Sequence, residues 1–222
     1  MRALSPFVAY RYWAPNYDHD PNPLLALEQR VLLQRLSFHP GERVMDVATG
    51  TGRWLNLALA AGACGFGVDK SPEMLAEAAA KERVAGRLAL GDLCHLPFAR
   101  DAASLAICSF ALSYVRDVRA ALSEMRRVAR RVIVTDLHPR AEQEGWSRTF
   151  RALGQNRDIA HYAHSWQQLR ACAEAADLTL LWTLEPHFDE PERRIFENAG
   201  RGARFDPLRR IPAVLISAWE RA

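Results

Sequence analysis

The stretch Val44–Trp54 constrains this chain more than any other. Val44-Met45-Asp46-Val47 is a short apolar run carrying one carboxylate, the pattern of a strand buried on both faces. Gly50 and Gly52 follow, one residue apart, and Trp54–Ala60 then reads as a helix. A strand, a tight glycine turn and a helix start form a cradle for a small molecule. Glycine permits positive φ and close backbone approach, and the helix start presents free N–H groups.

The residues around the turn narrow the ligand. A dinucleotide fingerprint wants a third small residue three positions after Gly52, and Leu55 stands there. Asp46 would also sit badly beside a pyrophosphate, whereas a ligand ending in an amino acid offers it an ammonium. S-adenosylmethionine is such a ligand, and a nicotinamide-dependent oxidoreductase becomes the weaker reading.

The same pattern recurs along the chain. Cys64–Asp69, Arg87–Leu90, Ser104–Ser109 and Arg131–Thr135 read as further strands. Helices stand between them, one opened by Ser71-Pro72 and another by Asp117. Alternation of this kind predicts a parallel, doubly wound α/β sheet with helices on both faces. Ligands in such sheets bind outside the carboxyl ends of the strands, and Asp46, Asp69, Asp92, Ser109 and Asp136 all fall there. Asp69 stands where a carboxylate would accept two neighbouring ribose hydroxyls, the plainer alternative being a helix-capping acid. Met74 is placed to pack on an adenine or simply to fill the core. Asp92 could accept from an exocyclic amine, and the Leu93 backbone could donate to the ring.

The flanks are less regular. Residues 1–23 carry Phe7, Tyr10, Tyr12, Trp13 and Tyr17 in a stretch read as irregular. Two roles fit it: packing onto the domain, or a lid across the ligand with Tyr17 or Tyr12 supplying a hydroxyl. Leu24–Leu36 reads as an amphipathic helix. Past Asp136, residues 137–164 look irregular and aromatic and read as a first cover segment facing a substrate, Ser165–Gln168 is a capping box, and Leu178–Leu184 and Ile211–Trp219 are β-rich. Residues 185–210, with six arginines, read as a second cover segment facing a substrate.

Composition supports one domain over residues 1–222. The net charge of +3 is too mild to argue for a nucleic-acid partner. The four cysteines lie far apart without metal-ligand spacing, as in a reduced cytoplasmic protein, and no membrane span or metal site is expected.

Three ordered motifs resemble those of the class I S-adenosylmethionine-dependent methyltransferases, in particular the type 11 group that includes quinone-biosynthesis enzymes. Asp46-Val47-Ala48-Thr49-Gly50-Thr51-Gly52 is similar to the family's first motif, with Ala48 where a glycine is usual. Gly67-Val68-Asp69 with Ser71, Met74 and Leu75 resembles its ribose and adenine region. Gly91-Asp92 with Leu96-Pro97-Phe98 resembles its adenine motif, and Trp13-Ala14 with Tyr17-Asp18 its N-terminal segment. The resemblance implies a seven-stranded sheet whose last strand is antiparallel and inserted between the fifth and sixth. It also implies a cofactor set of Tyr17, Asp46, Ala48, Gly50, Gly52 and Asp69, extended by Lys70, Met74, Asp92, Leu93 and Ser109.

Methyl transfer from a sulfonium is an in-line displacement governed by alignment, and a base is needed only for a protonated acceptor. His138 is the best-placed histidine. It follows the fifth strand two residues after Asp136, so on an extended backbone the two side chains would share a face and the carboxylate would raise the imidazole pKa. The alternative is that the pair stitches the loop to the sheet. Tyr12, Tyr114, His161 and His164 are expected to face the substrate. A small-molecule acceptor is favoured over RNA, and a non-catalytic cofactor-binding adaptor of the same fold is the remaining alternative.

Overall fold

The computed structural model describes residues 3–152 and 155–222. Met1 and Arg2 of the expected lid, and Leu153 and Gly154 of the expected 137–164 cover, lie outside the described residues.

Nine strands and nine α-helices run through the described residues. In chain order they begin α1 (Pro6–Trp13), α2 (Pro23–Leu32), β1 (Arg43–Val47), α3 (Arg53–Ala60), β2 (Cys64–Asp69) and α4 (Pro72–Ala79). Then come β3 (Leu88–Leu90), β4 (Ala103–Ser109), α5 (Val118–Val128), β5 (Ala129–Leu137), α6 (Pro139–Gln143), β6 (Thr149–Ala152) and β7 (Gln155–Asp158). The chain closes with α7 (Trp166–Glu174), β8 (Leu178–Leu184), α8 (Glu190–Asn198), α9 (Phe205–Leu208) and β9 (Val214–Arg221).

Seven strands form one sheet in the order β3-β2-β1-β4-β5-β9-β8. β1 to β5 pair in parallel, and β9 runs antiparallel between β5 and β8. This is the expected topology. The strands at the centre carry Val, Ile, Leu and Met because both faces are covered. One core, with Met45, Leu122, Met125, Leu169 and Trp219, fills the space under α5 and α7. The other joins Leu27 and Leu32 of α2 and Trp54 of α3 to Phe188, Phe196 and Phe205.

The flanks depart from expectation. Residues 3–23 hold a helix where an irregular stretch was expected: Ser5 caps α1 with Pro6 at the first helical position, the same signal as Ser71-Pro72. Its inner face, Ala9 and Trp13, packs on Phe150 and Ile159. The 137–164 stretch holds α6 and an antiparallel β6–β7 hairpin. The 185–210 stretch holds α8 and α9. Asp189 opens α8 in a capping box with Glu192, and Glu192 is itself buried against Arg30 of α2 at 2.8 Å. That segment packs onto α2 and supplies no residue to the lining of the cleft described below.

Candidate active site

At the carboxyl ends of β1 to β4 the sheet opens into a cleft of about 500 Å3. Its near side is built by the glycine turn. Gly50 and Gly52 both take positive φ, 56° and 79°, and Gly52 is the left-handed N-cap of α3. Gly52 shapes the turn without lining the cleft. Ala48 also sits at φ 55°, a conformation that costs an alanine about 1 kcal/mol and a glycine almost nothing. A Cβ at Gly67 would stand 2.8 Å from Thr49 Oγ1, so glycine on β2 lets the turn lie against its neighbouring strand.

The three strand-end acids are each fixed by short hydrogen bonds. Asp46 is buried, and its Oδ2 accepts from Thr49 Oγ1 at 2.7 Å and from the Leu55 N–H at 2.9 Å. Burial pushes its pKa up to about 7 against the pull of those bonds. Asp69 accepts from the Gly50 N–H at 2.8 Å and from the Ser71 N–H at 2.8 Å. It therefore has a structural role as well as a place in the cleft, and burial raises its pKa too. Asp92 accepts from Lys70 Nζ at 2.7 Å and the Cys94 N–H at 2.8 Å, and the Lys70 ammonium holds its pKa below the usual carboxylate range. Lys70, Met74, Leu93 and Ala48 line the same side.

The far side is aromatic. Tyr10 of α1, Tyr17, Phe110 and Tyr114 line it, and the Tyr10 and Tyr114 hydroxyls lie 3.0 Å apart. Burial raises the pKa of Tyr10 and of Tyr17, keeping both neutral. Behind this wall the Arg148 guanidinium stands 5.3 Å from the Phe110 ring centre and 5.2 Å from that of Tyr114, paired with Asp136. The N-terminal segment is tied to the glycine turn. Asp18 accepts from Thr51 Oγ1 at 2.7 Å and from Lys81 Nζ at 2.6 Å.

Several expected residues stand elsewhere. Tyr12 points to solvent, because on a helix it lies 200° from Tyr10; Tyr10 takes the place expected of it. None of the seven histidines lines the cleft. His161 binds the Ile159 carbonyl at 3.0 Å and His164 the Val115 carbonyl at 3.0 Å, so both brace loops. Asp136 and His138 are not paired. Asp136 accepts from Arg148 and from the Ser113 N–H at 2.8 Å. His138 is the N-cap of α6, accepting from the Arg140 N–H at 3.0 Å, with Glu185 3.5 Å from its other nitrogen. Pro139 starts a helix rather than extending the strand, so the alternation that would align the pair ends there. Burial lowers the His138 pKa, opposite to the expected rise.

Sequence reasoning also missed Glu28 and Arg53. Glu28 of α2 is fully buried and pairs with Arg53, which lines the cleft; it accepts from Ser109 Oγ at 2.8 Å and Thr135 Oγ1 at 2.6 Å. Ser109, expected at the cofactor, is thus also part of this network. A charge inside the apolar stripe of Leu24, Leu27 and Val31 was the available signal.

With this geometry in place, the comparisons agree on a class. A family model described as a methyltransferase domain matches residues 44–132. The demethylmenaquinone methyltransferase of Mycobacterium sp. (strain KMS) is 31% identical over 176 residues, covering 71% of this chain and 74% of that protein. The enzyme of the same name from Corynebacterium glutamicum (strain R) is 38% identical over 119 residues, or 52% of this chain. There the chain spans about half the length of its relative, 50%. An S-adenosylmethionine-dependent methyltransferase structure from Mesorhizobium loti shares the fold at TM-score 0.68 and 21% identity, over 90% of this chain and 100% of that one. The chain belongs to the class I S-adenosylmethionine-dependent methyltransferases.

Proposed function

We propose that this protein transfers the methyl group of S-adenosylmethionine to a small-molecule acceptor. One observation carries the reading: a single cleft joins three strand-end carboxylates to a wall of tyrosines. The residues fit the cofactor. A Cβ at Gly50 would lie 3.2 Å from Met74 Cε, so the glycine keeps a surface open between turn and α4. Asp69 stands beside it as an acceptor for paired hydroxyls, and Asp92 and Leu93 lie further along the sheet edge.

The cofactor supplies an activated methyl group and its own leaving group. The chain's task is to hold, align and exclude water. The Tyr10 and Tyr114 hydroxyls share one hydrogen bond, which leaves hydroxyl capacity for a polar atom of the acceptor. The aromatic faces around them orient an apolar body. This division replaces the histidine base, since His138 caps a helix away from the cleft.

We further read residues 3–23 as the cover of the cleft. Ser5, Pro6, Phe7 and Tyr10 line it, and Asp18 fastens the segment to the turn. Residues 137–164 back the wall through Phe150 and Arg148 rather than face the substrate. Two of the six arginines in 185–210 are engaged by acids: Arg193 with Glu190 and Asp206, Arg209 with Asp189 and Glu190. None of the six lines the cleft, and this favours a small acceptor over RNA. Among the described residues no helix is long and apolar enough to cross a membrane, and the four free cysteines fit a cytoplasmic site.

The test is thermal. S-adenosylhomocysteine at 100 times a micromolar-class Kd should stabilise the fold by about 2.7 kcal/mol and raise Tm, while NAD leaves it unchanged. Stabilisation by NAD and not by S-adenosylhomocysteine would end the reading.

A further inference from the structure

We propose that Arg53 reads the carboxylate of the cofactor's amino-acid arm, and that the buried Glu28 is there to aim it. The inference rests on the methyltransferase reading and assigns a residue within that site.

Glu28 is the starting point. A carboxylate with no exposure is costly to bury and is tolerated when charge-paired and fully hydrogen-bonded. Four donors from three elements converge on it. Arg53 bonds Oε2, while Trp54 Nε1 at 3.3 Å, Ser109 Oγ at 2.8 Å and Thr135 Oγ1 at 2.6 Å bond Oε1. Apolar residues of similar volume often replace a buried ion pair without loss of stability, so docking α2 on the sheet does not by itself call for Glu28. What an apolar residue would not do is fix a guanidinium.

Arg53 is fixed on several sides. Its Nη2 donates to Glu28 and to Ser109 Oγ at 3.1 Å, and its Nη1 donates to Gln29 Oε1 at 3.3 Å. The guanidinium carbon lies 4.9 Å from the Trp54 ring centre. A guanidinium has five N–H donors. Among the described residues these bonds use three of them, and the side chain keeps 22% of its surface, on the cleft it lines. The remaining donors form a prepositioned half of a charge-assisted pair.

Position along the sheet edge selects the partner. In the order β3-β2-β1-β4, Asp92 and Lys70 stand at one end, Asp69 next, then Asp46 and the turn, then Ser109 and Arg53. Lys70 is already engaged by Asp92, and Arg116 is exposed at the rim. Arg53 is thus the part-buried cation at the end away from Asp69 and Asp92. A nucleoside seated against those two acids would send its amino-acid arm toward this group.

The experiment compares two ligands that differ by that arm. Titration calorimetry with S-adenosylhomocysteine and with 5′-methylthioadenosine, which keeps nucleoside and sulfur but lacks the amino acid, is run on wild type, Arg53→Met and Glu28→Gln. Arg53→Met should weaken S-adenosylhomocysteine by about 30-fold or more and leave 5′-methylthioadenosine within about threefold. Glu28→Gln should cost about tenfold, again on S-adenosylhomocysteine alone. Arg53→Lys keeps the charge, loses the fork, and serves as the readout should Arg53→Met not fold; a loss of about tenfold restricted to the longer ligand is expected. Equal losses on both ligands, or no loss on S-adenosylhomocysteine, would overturn the proposal. Wild type that binds neither ligand would instead overturn the methyltransferase reading beneath it.

Discussion

The two sides of the cleft are built in opposite ways. On the cofactor side each acid has a partner close by in the chain: Asp46 has Thr49 and Leu55, Asp69 has Ser71 beside the more distant Gly50, and Asp92 has Cys94 beside the more distant Lys70. On the aromatic side the partners are remote, Tyr10 meeting Tyr114 across 104 positions, and the network beneath Arg53 is built the same way, Glu28 meeting Thr135 across 107. Local bonds make a rigid, charged surface that forms with the strands themselves. The other surface exists only after α1 and α2 have docked, so its shape depends on the whole fold.

The largest effect expected from breaking this contrast is at Asp69. Asp69→Ala should weaken S-adenosylhomocysteine binding by about 2–4 kcal/mol. It should also lower stability by about 1–2 kcal/mol, because the Gly50 and Ser71 N–H groups lose their acceptor. Calorimetry and denaturant melts on the same variant separate the two losses. Normal binding in a destabilised variant would leave Asp69 a turn brace alone.

A smaller, pH-dependent effect is expected at Asp46. Its folded pKa of about 7 lies above the unfolded carboxylate value, so the folded state keeps a proton that the unfolded chain has released. Stability from this group is therefore full at low pH and lost as pH rises from about 4 through 7. Asp46→Asn retains an acceptor for Thr49 and Leu55 but removes the titration. The variant should match wild type near pH 4 and exceed it by on the order of 1–3 kcal/mol at pH 8. A stability gap that stays constant across pH would show that Asp46 does not titrate in this window.

What the sequence disclosed follows the same division. Asp46, Asp69 and Asp92 announce themselves because a strand end, an acid and a turn or cap lie within a few residues of one another. The β5–β9–β8 arrangement came through resemblance, since nothing local tells β9 to insert between two earlier strands. Two misses were avoidable. Ser5-Pro6 and Asp189 with Glu192 repeat signals recognised at Ser71-Pro72 and Ser165–Gln168, yet aromatic and arginine-rich surroundings drew attention away from them. The β6–β7 hairpin was not legible, because Gln155-Asn156-Arg157-Asp158 has no apolar alternation and gains its order from Leu4 and Ile159 next to it. Tyr10 was chosen over Tyr12 by helix geometry, which no reading of residues 1–23 as irregular could supply.

The claim that one ligand surface spans both sides is tested most directly by hydrogen exchange with and without S-adenosylhomocysteine. The account predicts slowed exchange at residues 46–55 and, in the same titration, along α1 from Pro6 to Trp13, because the glycine turn and α1 line one cleft. Unchanged exchange at the glycine turn, or protection there with none in α1, would contradict it.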